Sequence, residues 1–345
     1  MGRSFTGSLD RREPLFAMDK PKLSMYWASS CGGCEIALVN LHEKILDVDG
    51  HFEFFFCPCL LDTKRADVEA LPDGGLAIAF FNGAIRTAEN REMARLMRAK
   101  SQLLIAFGAC ACMGSIPALS NLHSRQAHLR TNYLDSPSLD NPSGTLPALG
   151  SAMAEGELEL PEFLETVQSL AQVVPVDYSI PGCPPEPHQI WNVVEAVIRG
   201  ATLPPRGSVL GAGVSSVCGE CGREKSDKRI PGFHRTFEIR PDPRTCLLEQ
   251  GLVCMGIATR DGCGALCPQV NMPCAGCYGP PEGVLDQGAK MISALGSVLD
   301  LGDYRGATAE QVAGKADAAM GGLPDPAGVL YRYSLSGAAV RSDLP

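Results

Sequence analysis

The chain reads as an α/β protein, with a flavodoxin-like parallel sheet first and an irregular, cysteine-organised region after it. Three observations carry that reading. Short, nearly all-apolar runs such as LAIAFF and LLIAF alternate with helical patterns through the first half. Strands apolar on both faces belong to a parallel sheet covered by helices on both sides. In the second half the periodicity fades, and eight cysteines crowd between Cys218 and Cys277.

Taken in order, residues 1–20 are polar and form a lead-in. Lys22 to Trp27 (KLSMYW) is a predicted strand, followed by the loop ASSCGGC and a helix from about Glu35 to Asp47, with Ile36, Val39, Ile45 and Leu46 near helical spacing. Strands follow at Phe52–Phe56, Leu76–Phe81, Leu103–Phe107 and Val173–Ile180, with helices at Ala88–Ala99 and His188–Arg199. Residues 115–165 are polar and turn-rich, and read as an insertion over the crevice or against a partner. Val284 to Leu301 has the pattern of an amphipathic helix, and the Ala/Gly-rich stretch beyond Tyr304 carries no cysteine and gives no signal.

Totals exclude several classes. A length of 345 residues with 45% hydrophobic content suits two folded units. Net charge is −9, and the 30 basic residues form no dense run, which argues against nucleic acid as a partner. No stretch reaches the roughly 20 apolar residues of a membrane span. Arg11-Arg12 lacks the apolar stretch and cleavage site of an export signal, so the expected location is cytoplasmic and reducing. There, fifteen cysteines point to metal or cluster ligation rather than disulfides.

Twelve of the fifteen divide by spacing into three sets of four, and four thiolates are the ligand complement of a 4Fe-4S cluster. The first set is scattered: Cys31 and Cys34 in SSCGGCE, Cys110 in FGACACMG and Cys183 in PGCPPEP. Each follows a predicted strand, and in open α/β sheets the loops at the carboxyl ends of strands form the binding crevice. The other eight fall at gaps of 3, 25, 8, 9, 4, 7 and 3. They are read as Cys218, Cys221, Cys246 and Cys254 in one site and Cys263, Cys267, Cys274 and Cys277 in the other. A structural zinc site takes the same four thiolates, and spacing does not exclude it. Three sites in one chain make better sense as an electron wire than as three unrelated staples. With little apolar patterning between Val217 and Tyr278, that segment is expected to depend on its bound groups for folding. Expected units are a lead-in (1–20), a flavodoxin-like domain with one cluster (21–205), a two-cluster domain (206–303) and a tail (304–345).

Other candidates carry less. Cys57 and Cys59 are two ligands and make no site, and buried free cysteines are common. Cys112 lies two residues beyond Cys110, which is preferred because it comes first after the strand. His188 and His234 lie near proposed ligands, with hydrogen bonding or packing the favoured role. Glu35 is a candidate proton carrier, with a helix-start carboxylate facing the macrodipole as the blander account. LGAGVSSVCG lacks the third glycine and the strand-loop-helix setting of a dinucleotide loop.

SSCGGCE, GACACMG, PGCPP and CLLEQGLVCMGIATRDGCGALCPQVNMPCAGCYGP together resemble the electron-transferring small subunit of cytosolic nickel-iron hydrogenases, nearest the methyl-viologen-reducing type that associates with heterodisulfide reductase. The likeness spans about Lys22 to Leu301. It implies that Cys31, Cys34, Cys110 and Cys183 hold a proximal 4Fe-4S cluster, Cys263, Cys267, Cys274 and Cys277 a medial one, and Cys218, Cys221, Cys246 and Cys254 a distal one. It also implies a large-subunit partner that carries the nickel-iron centre, because this chain has no RxCGxC near its start and no DPCxxC at its end. A downstream iron-sulfur or flavin subunit would take the electrons. Alternative readings are a hydrogen-sensing subunit, a subunit of a nicotinamide- or deazaflavin-reducing hydrogenase, and a zinc-stabilised scaffold.

Overall fold

The computed structural model describes residues 20–339 apart from 227, 303, 304 and 324. The lead-in over 1–19, with Arg11-Arg12, and the boundary at 303/304 lie outside the described residues.

Five parallel strands form the central sheet: β1 (Lys22–Trp27), β2 (Glu53–Phe56), β3 (Leu76–Asn82), β4 (Ser101–Phe107) and β5 (Tyr178–Ile180). Their spatial order is β2-β1-β3-β4-β5. This is the flavodoxin-like order, with its switch point between β1 and β3. One face of the sheet packs Leu23, Met25, Ile78, Phe80, Ile105 and Phe107 against Leu38, Leu41 and Ile190. The other packs Phe81, Leu104 and Ala106 against Met93 and Met97 of the helix Ala88–Lys100, which Thr87 caps by accepting from Asn90 N-H. Alternation of faces along each strand is what makes these runs apolar throughout.

Two elements differ from the sequence expectation. The helix after β1 is broken into Gly33–Val39 and Ile45–His51, with His42 between them at φ +54°. Its buried residues include Cys34, Glu35, Ala37, Leu38, Leu41 and Val48, whereas Ile36, Val39 and Leu46 are more than half exposed. The buried stripe of the first half is carried by Cys34, Ala37, Leu38 and Leu41 at i, i+3, i+4 and i+7, which leaves Ile36 and Val39 on the outer face. The last strand is also shorter than expected. Leu170–Gln172 form a 3-10 turn, and Pro175, with no N-H to give a ladder, lies before the paired residues.

The 115–165 stretch contains a hairpin of Gly150–Met153 with Gly156–Glu159, and Phe163–Gln168 pairs with Ile85–Thr87 beside the main sheet. Beyond residue 200, scattered single apolar residues converge on a second core. Val217, Ile230, Phe233, Leu248 and Met255 meet Met291 and Leu295 of the helix Gln287–Val298. The Ala/Gly-rich tail joins this core through Leu330, Tyr331, Leu335 and Ala338, a placement its composition did not signal. Among the described residues, no helix is long and apolar enough to cross a membrane.

Candidate metal centres

Four strand ends meet at one edge of the sheet. After β1, Ala28 N-H donates to Asn82 O (2.7 Å), while Ser29 and Ala84 exchange backbone bonds of 3.2 and 2.9 Å. After β4, Ala109 N-H donates to Gly182 O at 2.7 Å, which ties the Cys110 turn to the Cys183 loop. These bonds bring Cys31, Cys34, Cys110 and Cys183 together. The close approach needs Gly108. Its φ is +84°, and a side-chain carbon there would overlap the Cys34 sulfur. Burial pushes the Cys34 thiol well above its usual value, and Cys110, Glu35 and Cys183 push it further. Cys110 rises to about 11, mainly through burial, with Cys183 and Cys31 adding to it.

Glu35 lies in the first turn of the helix Gly33–Val39. Its Oε1 accepts from Asn82 Nδ2, and its Oε2 is buried with no hydrogen-bond partner among the described residues. The Cys112 thiol donates to Ala106 O at 3.4 Å. Cys57 and Cys59 lie 3.5 Å apart, sulfur to sulfur.

Beyond residue 200, Cys218, Cys221, Cys246 and Cys254 line one small cavity, with Arg223, Lys225 and Gly256 in its wall. A Cβ at Gly256 would lie 3.3 Å from Cys218 Sγ and 3.7 Å from Cys254 Sγ, so the absent side chain leaves the room between them. Burial raises Cys218 to about 11, with Cys254 adding to it and Lys225 opposing. Of the remaining four, Cys277 rises to about 12 through burial, then through Cys183, Cys263 and Cys267. Backbone N-H groups of Ala265 and Leu266 point at Cys263 and partly offset its burial.

The sets also touch one another. Cys277 lies against Cys183, while Cys274 N-H donates to Cys254 Sγ at 3.2 Å. The order in space is therefore the first set, then the Cys263–Cys277 set, then the Cys218–Cys254 set.

Two residues that the sequence reading did not single out hold these loops in place. Arg223 is buried and donates to Pro268 O (2.8 and 3.1 Å), Asn271 Oδ1 (2.7 Å), Asp242 O (2.8 Å) and Thr245 O (2.9 Å). It thus spans the loops of Cys221, Cys246 and Cys267. Glu220 accepts from Gly262 N-H (2.8 Å) and Gly264 N-H (3.0 Å) on either side of Cys263. The only signal for either was a charged residue within the CxxC pair, Glu220, or two residues beyond it, Arg223. His188 lies 3.4 Å from Gly262 O, and the His234 ring packs over Gly251, in keeping with bonding and packing roles.

The donor chemistry fits iron-sulfur clusters. Each set is four thiols, which suit iron-sulfur or zinc binding. Crowded, partly desolvated thiolates require a compensating positive group. Within a set the sulfurs interact electrostatically, which places them near one another. Gly108 and Gly256 leave open the space that a side chain would otherwise take.

Comparison with known proteins gives the same direction. Residues 31–197 match the family model described as NADH ubiquinone oxidoreductase, 20 Kd subunit. The chain is 40% identical over 329 residues to the iron-sulfur subunit of the F420-non-reducing hydrogenase of Archaeoglobus profundus, covering 94% of this chain and 98% of the relative. It is 34% identical over 325 residues to the corresponding F420-non-reducing hydrogenase subunit of Methanothermobacter marburgensis, covering 93% and 96%. Among solved structures, an NAD+-reducing NiFe hydrogenase in the H2-reduced state aligns at 28% identity and TM-score 0.46, over 54% of this chain and 96% of its own. By its full-length identity to these relatives, the chain belongs to the family of F420-non-reducing hydrogenase iron-sulfur subunits and is the small subunit of a nickel-iron hydrogenase, an oxidoreductase whose catalytic centre lies on the large subunit.

Proposed function

We propose that this chain relays electrons between the nickel-iron centre of its large subunit and an external acceptor by means of three 4Fe-4S clusters. Cys31, Cys34, Cys110 and Cys183 would hold the proximal cluster, Cys263, Cys267, Cys274 and Cys277 the medial one, and Cys218, Cys221, Cys246 and Cys254 the distal one. The observation that carries this is the sequence of contacts between sets, Cys183 against Cys277 and Cys274 against Cys254. A wire needs its sites in file and close together, whereas separate structural staples do not.

Each such cluster supplies a one-electron carrier. The chain's own residues supply the rest. Backbone N-H groups at Ala265, Leu266 and Gly256 donate to ligand sulfurs and favour their charged form. Arg223 and Glu220 fix the spacing between the outer loops. Cys34 and Cys274 are buried, whereas Cys31, Cys183 and Cys267 are exposed on this chain, the first two on the side proposed to face the large subunit. The sheet unit over 21–205 would serve the large-subunit side and the unit over 206–303 the exit side. A downstream iron-sulfur or flavin subunit in the cytoplasm would accept the electrons. Similarity to F420-non-reducing relatives favours this acceptor over a deazaflavin.

Two replacements in the assembled enzyme test the assignment. Cys183→Ala should leave the large subunit bound and cut dye reduction by about 10–100-fold or more, since even removal of groups supporting a ligand costs that much. Cys221→Ala should remove only the outer cluster's paramagnetic signal. Dye reduction at the wild-type rate in the first, or loss of the inner signal with the outer one intact in the second, would contradict it.

A further inference from the structure

Two thiols in the first half of the chain stand outside the three cysteine sets. Cys57 and Cys59 follow directly on β2, the edge strand of the sheet, and their sulfurs lie 3.5 Å apart. The backbone fixes the turn that carries them. Leu60 N-H and Leu61 N-H both donate to Cys57 O at 2.8 Å, and Pro58 locks the one intervening φ. The two thiols differ in access. Cys57 is 2% exposed and belongs to the core that holds Leu38, Leu41 and Phe52, whereas Cys59 is exposed. Because β2 runs parallel to β1, the pair lies at the same edge of the sheet as the loop of Cys31 and Cys34.

We propose that Cys57 and Cys59 form a reversible dithiol-disulfide site that exchanges with low-molecular-weight disulfides, Cys59 being the attacking thiol and Cys57 the resolving one. Two thiols fall short of the four that a cluster or a structural zinc takes. Two sulfurs in contact are what a disulfide takes, and the bond needs them to close from 3.5 Å to about 2 Å. The exchange balances with the disulfide reagent alone. Cys59, the sulfur that a molecule from solvent can reach, attacks one sulfur of the reagent; the reagent's S-S bond breaks, and its first half leaves as a thiol with the Cys59 proton. Cys57 Sγ then attacks Cys59 Sγ, the mixed disulfide breaks, and the second half leaves as a thiol with the Cys57 proton. Two electrons have passed from the protein dithiol to the reagent. In a reducing compartment the pair rests as thiols. A disulfide closed across a single residue at the surface is of the tight, exposed kind that excess thiol reduces again.

The experiment treats the complete heteromer, kept without oxygen, with glutathione disulfide, quenches it in acid, alkylates it with iodoacetamide and weighs the tryptic peptide of residues 45–64. That peptide contains Cys57 and Cys59 and no other cysteine. In the wild type the reagent should abolish both alkyl labels and leave the peptide lighter by the two thiol hydrogens. Dithiothreitol should restore both labels, and the iron content should not change. Cys57→Ser should stop at a stable glutathione adduct on Cys59, whereas Cys59→Ser should leave Cys57 free of glutathione because the reagent does not reach it. Both labels retained in the treated wild type, a glutathione adduct that accumulates there in place of the internal bond, or iron lost in step with the labels would overturn the proposal. Should Cys57→Ser not assemble, Cys59→Ser, altered at an exposed position, decides the order of attack, and glutathione found on Cys57 would overturn it. None of these outcomes rests on which cysteines hold a cluster.

Discussion

At the scale of single residues, the first cysteine set depends on what is missing from Gly108 as much as on the thiols. Alanine there has to adopt φ +84° and to overlap Cys34 Sγ, and neither neighbour yields easily because the Cys110 turn is bonded to Gly182 O. We expect Gly108→Ala to lose about four of about twelve irons per chain, the share of one cluster, with the outer signals kept. Retention of the full iron content would show that the crevice tolerates the added carbon. The grouping of the cysteines proposed as ligands was legible because cysteine is chemically distinctive and its spacings survive in one dimension. Arg223 and Glu220 were not, because their importance lies in carbonyls and amides contributed by segments distant in sequence. Ile36, Val39 and Leu46 misled because the face turned to the sheet is carried by Cys34, Ala37, Leu38 and Leu41, small or ligand-type residues among them, and the more apolar positions lie off that stripe.

At the scale of elements, the register of β5 decides whether Cys183 reaches Cys110. The short strand has few ladder bonds of its own, and Asp177 at its start compensates. Its Oδ2 accepts from Arg98 Nη1 (2.6 Å) and Leu104 N-H (2.8 Å), its Oδ1 accepts from Arg206 Nη1 (2.6 Å), and its own N-H donates to Leu104 O (2.9 Å). Burial works to raise the Asp177 carboxyl, but the bonds from Arg98 and Leu104 and the charges of Arg98 and Arg206 outweigh it and hold the group below its ordinary value. The sign follows from linkage. A carboxyl depressed in the folded state contributes stability that is fully present above the unfolded value of about 3.9 and is lost as pH falls through the folded value. Asp177→Ala should therefore cost about 1–2 kcal/mol at neutral pH, chiefly because Leu104 N-H loses its buried acceptor while Arg98 and Arg206 still reach solvent. The gap between the two melting curves should narrow below about pH 4. A gap that is absent at neutral pH, or that widens in acid, would mean the pair does not hold β5. The parallel strands themselves were readable from their apolar runs, but the shortening of β5 needed the particulars of Pro175 and Asp177.

At the scale of the whole molecule, two cores lie side by side and the cysteine sets run from one to the other. The first set is positioned by the sheet, while the other two lie in a region whose apolar residues are scattered in sequence and gathered only in space. That scattering hid the second core from a periodicity argument, and it hid the tail's contribution through Tyr331, Leu335 and Ala338. The central claim is that all three sets hold iron-sulfur clusters in file. Its most direct test is the iron, acid-labile sulfide and zinc content per chain of the complex purified without oxygen through a tag on this subunit, with nickel counted alongside. The account predicts about twelve irons and about twelve sulfides in this chain, with nickel in its companion. Zinc in place of iron, with no sulfide, would contradict it.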